Sequence, residues 1–135
     1  AQREPRPKPN CGLRGEHKGQ TIDDIFAHEQ NLVVGEDGKI LLVTGCAHNG
    51  IINILEHFHT LKGRMPDYVI GGFHLSSRSG GNEDPDTIDR IGKHLMGTKA
   101  KYYTCHCTGI EPYKRLKAGM GDSIDYLSTG SGIKI

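Results

Sequence analysis

The 135-residue chain is the size of one ordinary domain, and with 35% apolar and 6% aromatic residues and no tryptophan it can bury one moderate core. A net charge of +1, with no basic block beyond the N-terminal tail, argues against a nucleic-acid surface, and no apolar run reaches membrane-spanning length. The four cysteines, at positions 11, 46, 105 and 107, make no disulfide framework for a protein of this size and point to a reducing, cytoplasmic compartment.

Residues 1–20 are charged, rich in proline and glycine, and aperiodic. They read as a linker or loop without regular structure, and the chain reads as a piece of a longer protein. Residues 21–135 read as the folded part. Ile22, Ile25 and Phe26 form a short apolar cluster before Ala27-His28-Glu29-Gln30. Two strand-like runs follow, Asn31 to Val34 and Lys39 to Thr44, and the Gly35-Glu36-Asp37-Gly38 link between them signals a hairpin. A helical pattern starts at Asn49, with Ile51, Ile52, Leu55, Phe58 and His59 on one face, and Gly63 and Pro66 end it. Tyr68 to Ile70 reads as a strand. Leu75 to Pro85 is a polar loop of the length that often covers a site. Asp86 is expected to cap a helix that buries Ile88, Ile91 and Leu95 and ends at Gly97. A strand follows over 101–105, then a short helix over 111–118 with Pro112 near its start. Ser123 to Leu127 and Gly132 to Ile135 read as two closing strands.

Three of these strands end alike. Leu41-Leu42-Val43-Thr44 runs into Gly45-Cys46-Ala47-His48. Tyr68-Val69-Ile70 runs into Gly71-Gly72-Phe73-His74. Lys101-Tyr102-Tyr103-Thr104 runs into Cys105-His106-Cys107-Thr108-Gly109. A helix-length crossover between successive strands makes them parallel, so their carboxyl ends share one edge of the sheet, where ligand sites of open α/β sheets gather. The expected fold is therefore α/β with a mixed sheet, and three histidines meet at one rim.

Neutral imidazole and thiolate are good zinc ligands, and imidazole also suits manganese or iron. His48, two residues after Cys46 on a glycine-lined turn, is a candidate metal ligand; its alternative is to cap or hydrogen-bond the following helix. In an extended segment Cys105 and Cys107 point one way and His106 the other. On that basis His106 is the ligand, while the cysteines pack in the core or just behind the site. His74 could bind metal, position substrate or satisfy backbone groups. His28 with Glu29 is a further candidate pair, with a solvated or loop-anchoring role as its alternative. His17, His57 and His94 read as tail or helix-surface residues. A zinc module built on Cys46, Cys105 and Cys107 matches no zinc-ribbon spacing.

Four segments carry a resemblance: Glu29-Gln30-Asn31-Leu32-Val33-Val34, Thr44 through Ile51, Gly71-Gly72-Phe73-His74-Leu75, and His106-Cys107-Thr108-Gly109. In unbroken order from about Asp23 to the C-terminus, they resemble the metallo-β-lactamase superfamily of metal-dependent hydrolases, in the branch similar to dihydropterin ribofuranosyl-aminobenzene phosphate synthase. That superfamily folds as an αββα sandwich of two similar halves, the N-terminal half supplying an HxHxDH motif. The motif does not occur in this sequence, so the resemblance implies a C-terminal half, with a missing N-terminal half or a self-associating copy as its partner. It further implies His48 and His106 as metal ligands. Cys46 falls where relatives often carry a bridging aspartate, and His74 falls on the substrate side. A divalent metal, zinc foremost with manganese or iron as alternatives, would activate water against a phosphoester or related ester of a small-molecule substrate. The competing expectation is a non-catalytic metal-binding or structural piece, inactive without its other half.

Overall fold

The computed structural model describes residues 4–135. Its centre is a five-stranded mixed sheet in the order β3-β4-β5-β8-β9. The hairpin β3 (Asn31–Glu36) and β4 (Lys39–Thr44) is antiparallel, with Asn31 opposite Thr44. The strands β5 (Tyr68–Gly71), β8 (Lys101–Thr104) and β9 (Ile124–Tyr126) add in parallel to β4. Helix α1 (Ile51–Lys62) joins β4 to β5, α2 (Pro85–Thr98) lies between β5 and β8, and α3 (Ile110–Met120) lies between β8 and β9. Two small hairpins complete the order: β1 (Arg14–His17) with β2 (Gln20–Asp23), and β6 (Ser76–Ser77) with β7 (Gly81–Asn82). The three expected parallel strands, β4, β5 and β8, and the two crossover helices between them match the sequence expectation; β9 adds a fourth parallel strand after α3.

Alternation along the strands divides the sheet into two unlike faces. Leu42, Val69, Tyr102 and Ile124 point to one side and join Ile51, Leu55 and Phe58 of α1, Ile88, Ile91 and Leu95 of α2, and Leu116 and Met120 of α3 in a single core. Tyr102 is fully buried, and its hydroxyl bonds the Thr98 hydroxyl at 2.6 Å, so the ring's polar end is satisfied inside the core. All three helices thus cover the same face. On the other face Leu41, Val43, Tyr68, Ile70 and Tyr103 are only half-buried, and Leu32 at the sheet edge is 61% exposed.

Several expectations are corrected. Residues 8–10 form a 3-10 turn and residues 14–17 the strand β1, so residues 4–20 are not without regular structure; residues 1–3 lie outside the described residues. Polar hairpins carry little periodicity for a sequence reading to detect, and the segment is held instead by long-range bonds to its surroundings. Asp84, not Asp86, is the N-cap of α2, with Pro85 in the first helical position. His59 is exposed, while Ile54 takes a place in the core. Ile124 to Tyr126 forms a strand, but residues 132–135 do not. That tail runs back unpaired until Ile135 lies with Val34, Leu41 and Tyr68 around a shallow cleft on the open face.

Candidate metal centre

The three strand ends form one rim, locked together by close approach of their turns. The Gly72 amide donates to the Gly45 carbonyl at 2.9 Å, and the Thr104 hydroxyl donates to the Gly71 carbonyl at 3.1 Å. A Cβ on Gly71 would sit 2.1 Å from Thr44 Oγ1, and one on Gly72 would sit 2.6 Å from Cys107 Sγ. The Gly-Gly pair is therefore required by space. Each turn also holds one non-glycine residue at positive φ: Ala47 at 56°, His74 at 47° and His106 at 52°. A conformation of this kind costs on the order of 1 kcal/mol and persists where the surroundings enforce it, as at functional sites.

The bend at His106 decides the geometry of the third turn. The strand stops at Thr104 and residues 106–108 close a 3-10 turn, so the alternation expected of an extended segment ends there. Cys107 consequently does not point into the core. Its thiol donates to the Cys46 carbonyl at 3.5 Å, and its sulfur joins Cys46 Sγ and a His106 ring nitrogen within 4.8 Å of one another. Cys46 Sγ lies 3.5 Å from His106 Nδ1. Ligands about 2.3 Å (sulfur) and 2.0 Å (nitrogen) from one tetrahedral zinc lie roughly 3.5 Å apart, so this pair has the spacing a zinc ion requires. Burial, and secondarily the neighbouring Cys46, push the Cys107 thiol up to about 12. Without metal it is a neutral thiol. Cys105 is half-buried and stays outside the cluster.

His48 and His74 form a second feature of the rim. Their ring centroids are 4.0 Å apart, and Phe26 stacks nearly parallel on His48 at 4.5 Å. Burial lowers the pKa of both rings below 6.5, and each ring's neighbours include the other or the His106 ring, which push the same way. Both are therefore neutral at neutral pH, the form in which a ring nitrogen offers a lone pair. His74 is only 5% exposed, and neither of its ring nitrogens has a hydrogen-bond partner among the described residues. The Pro9 carbonyl opposes its pKa shift without meeting hydrogen-bond geometry. Such a buried group costs about 1–3 kcal/mol unless something pairs with it.

Glu29 and His28, paired in the sequence reading, do different things. The Glu29 carboxylate accepts the amides of His48 at 2.6 Å and Asn49 at 3.0 Å, and the Asn49 side chain at 2.9 Å. It thereby satisfies donors at the entry to α1, where Gly50 supplies no side-chain cap. His28 is exposed, 3.9 Å from Asp24. His94 is half-buried rather than on the surface, 3.6 Å from Glu56. Asn10 was absent from the sequence reading, although its side chain bonds both the carbonyl and the ring of His48. No local pattern marks such a residue; only the fold brings it across 38 positions.

A mixed sheet covered by helices on one face, with sulfur and imidazole donors on the turns of a single rim, makes the chain similar in fold to a solved hydrolase of the β-lactamase superfamily and similar in sequence to two archaeal proteins. No family model matches it. Tm1679, a metal-dependent hydrolase of the β-lactamase superfamily, superposes with a TM-score of 0.73 and 28% identity, covering 96% of this chain and 52% of its own. The 7,8-dihydropterin-6-methyl-4-(β-D-ribofuranosyl)-aminobenzene-5'-phosphate synthase of Methanocaldococcus jannaschii is 31% identical over 129 residues, 94% of this chain and 42% of the synthase. An uncharacterized protein of the same archaeon is 33% identical over 102 residues, 73% of this chain and 32% of that protein. The chain spans about half the length, or less, of these relatives.

Proposed function

We propose that this chain contributes one side of a divalent-metal centre that hydrolyses a phosphoester or related ester, with His48, His106 and Cys46 as metal ligands and His74 on the substrate side. The observation that carries this reading is the 3.5 Å approach of Cys46 Sγ to His106 Nδ1, on the rim that also carries the neutral His48–His74 pair. The orphaned nitrogens of buried His74 support it, because a bound group would pair them. When bound, a divalent metal supplies Lewis-acid polarisation of an ester oxygen and a nucleophile from water near neutral pH. Zinc suits the sulfur-containing set best, with manganese or iron as alternatives for its imidazoles. Cys46 and His106 would hold a bound metal, and the bend at His106 keeps the two donors within reach of one another. Neutral His74 suits donation of a hydrogen bond to a substrate oxygen or acceptance of a proton from water. The hydrolase relative supports the reaction class. The synthase relative's name carries a ribofuranosyl 5'-phosphate, in keeping with a phosphorylated small molecule.

The half-buried apolar face of the sheet fits a partner that covers it, either an N-terminal half or a second copy of the chain. A competing reading is a metal-binding or structural piece without catalysis. It is favoured by the fact that His48 stands outside the Cys46–His106–Cys107 group. Metal analysis of His48→Ala and His106→Ala beside the parent separates the two. The catalytic reading expects metal content to fall in both, together with turnover of a nitrophenyl phosphodiester when the covering half is supplied. An unchanged metal-to-protein ratio in both variants overturns it.

A further inference from the structure

The segment before β1 reaches the His48 ring through the side chain of Asn10. The Asn10 Nδ2 group donates to the His48 carbonyl at 2.7 Å, and Asn10 Oδ1 lies 2.9 Å from His48 Nδ1. A carbonyl oxygen can only accept, so the amide nitrogen must face it, and this settles which way the Asn10 amide is turned. The amide oxygen, also only an acceptor, then faces Nδ1. That contact is a hydrogen bond only if Nδ1 carries the proton. In a neutral ring the lone pair is then on Nε2.

We propose that Asn10 is a positioning residue that holds His48 in the tautomer protonated on Nδ1 and so presents the Nε2 lone pair to the site. Free imidazole side chains in water prefer the opposite tautomer, so the protein has to impose this one. Asn10 is itself held firmly. Its amide bonds the Pro7 carbonyl at 3.1 Å, and the Leu13 amide bonds its carbonyl at 3.0 Å. The neighbouring Lys8 amide bonds buried Glu83 at 2.7 Å, and the Ser77 hydroxyl bonds the Pro9 carbonyl at 3.1 Å. The other anchors of His48 leave its tautomer open. Glu29 holds its backbone amide, and Phe26 stacks on the ring face without touching either nitrogen's proton. Ligating histidines commonly donate their second ring N–H to a carbonyl or carboxylate, which fixes the tautomer and raises the basicity of the other nitrogen. An asparagine oxygen suits the same task. That Nε2 then meets a metal rests on the function proposed above; the tautomer does not.

Long-range proton–nitrogen correlation NMR on metal-free, nitrogen-15-labelled protein, at a pH above the ordinary histidine value of 6.5, reads the tautomer directly. The parent is expected to show His48 Nδ1 as the protonated nitrogen and Nε2 as the unprotonated one. Asn10→Leu should shift the population toward the Nε2-protonated form. Asn10→Asp, which keeps an acceptor for Nδ1, should restore the parent pattern. A parent with its proton on Nε2 overturns the proposal even if no variant folds, and so does a folded Asn10→Leu protein with an unchanged tautomer. Zinc titration of the same proteins tests the separate question. The expected loss for Asn10→Leu is about 10–100-fold in affinity. A changed tautomer with unchanged zinc affinity upholds the role of Asn10 and removes His48 from the ligand set.

Discussion

The sulfur of Cys46 and Nδ1 of His106 lie 3.5 Å apart although 60 residues separate them in the chain. The first sits just beyond β4 and the second just beyond β8, the two strands that flank β5. Parallel register across β5 brings the two strand ends level, and the left-handed bend at His106 turns its ring toward the thiol.

Metal binding at the Cys46–His106–Cys107 group should release protons. Thiolate, not thiol, is the ligand, and the Cys107 thiol is raised to about 12 without metal. Calorimetric zinc titration in buffers of different ionisation enthalpy is expected to show net proton release and tighter binding as pH rises. Cys46→Ser should weaken binding, and Cys107→Ser should lower the proton count if its sulfur ligates. Cobalt substitution gives an independent readout, since thiolate-to-cobalt absorption should fall in Cys46→Ser and vanish in the Cys46→Ser, Cys107→Ser double variant.

Acid should weaken the metal-free fold through buried His74 and half-buried His48. His48 and His74 have lowered pKa values in the folded protein, so around and below 6.5 the unfolded chain binds protons that the folded one does not. Stability is then complete above 6.5 and falls as pH drops through that value toward the lower folded pKa values. His74→Asn removes one of these groups while tolerating the positive φ at this position. Its urea-unfolding free energy should depend less on pH in that window. An equal slope in parent and variant would show that His74 does not contribute.

Removing the Glu29 carboxylate should loosen the turn that presents His48. It accepts two backbone amides and one side-chain amide, and a hydrogen bond to a charged acceptor contributes about 1.5–3 kcal/mol net of the exchange with water, without simple additivity. Glu29→Ala is expected to cost about 1–3 kcal/mol in urea denaturation. Glu29→Gln, which keeps one acceptor oxygen, should cost less.

The open face of the sheet should drive association. Val43, Ile70 and Tyr103 present a half-buried apolar surface opposite the helices, and Ile135 covers only the corner near Val34. Sedimentation of the isolated chain is expected to show concentration-dependent self-association, reduced by Ile70→Lys. A monomer at every concentration would count against a covering partner at this face.

The core elements were legible because their determinants are local. Alternation in Lys39 to Thr44, Tyr68 to Ile70 and Lys101 to Thr104, with glycine or cysteine-histidine at each end, suffices to read three parallel strands and the shared rim on which His48, His74 and His106 were sought. The apolar spacing of Ile88, Ile91 and Leu95 likewise reads as the inner face of α2. Errors arose where the outcome depends on distant partners. The 14–17 strand is polar and paired only with its own hairpin neighbour, and Gly132 to Ile135 has strand-like composition but no free edge bonded to it.

By itself, then, the sequence determined the core strands β3, β4, β5 and β8, the crossover helices between them and the order of the candidate donors, since these follow from periodicity and from residues adjacent in the chain. Only the tertiary structure decided how the donors group. Cys107 faces Cys46 because Gly72 leaves room for its sulfur and a bend replaces the expected extended backbone at His106. Glu29 became an anchor for the His48 turn, and Asn10 reached the His48 ring from a segment that sequence alone read as a linker. These contacts span 19 to 61 residues, and closing loops of that length is repaid only when the whole sheet and core are formed.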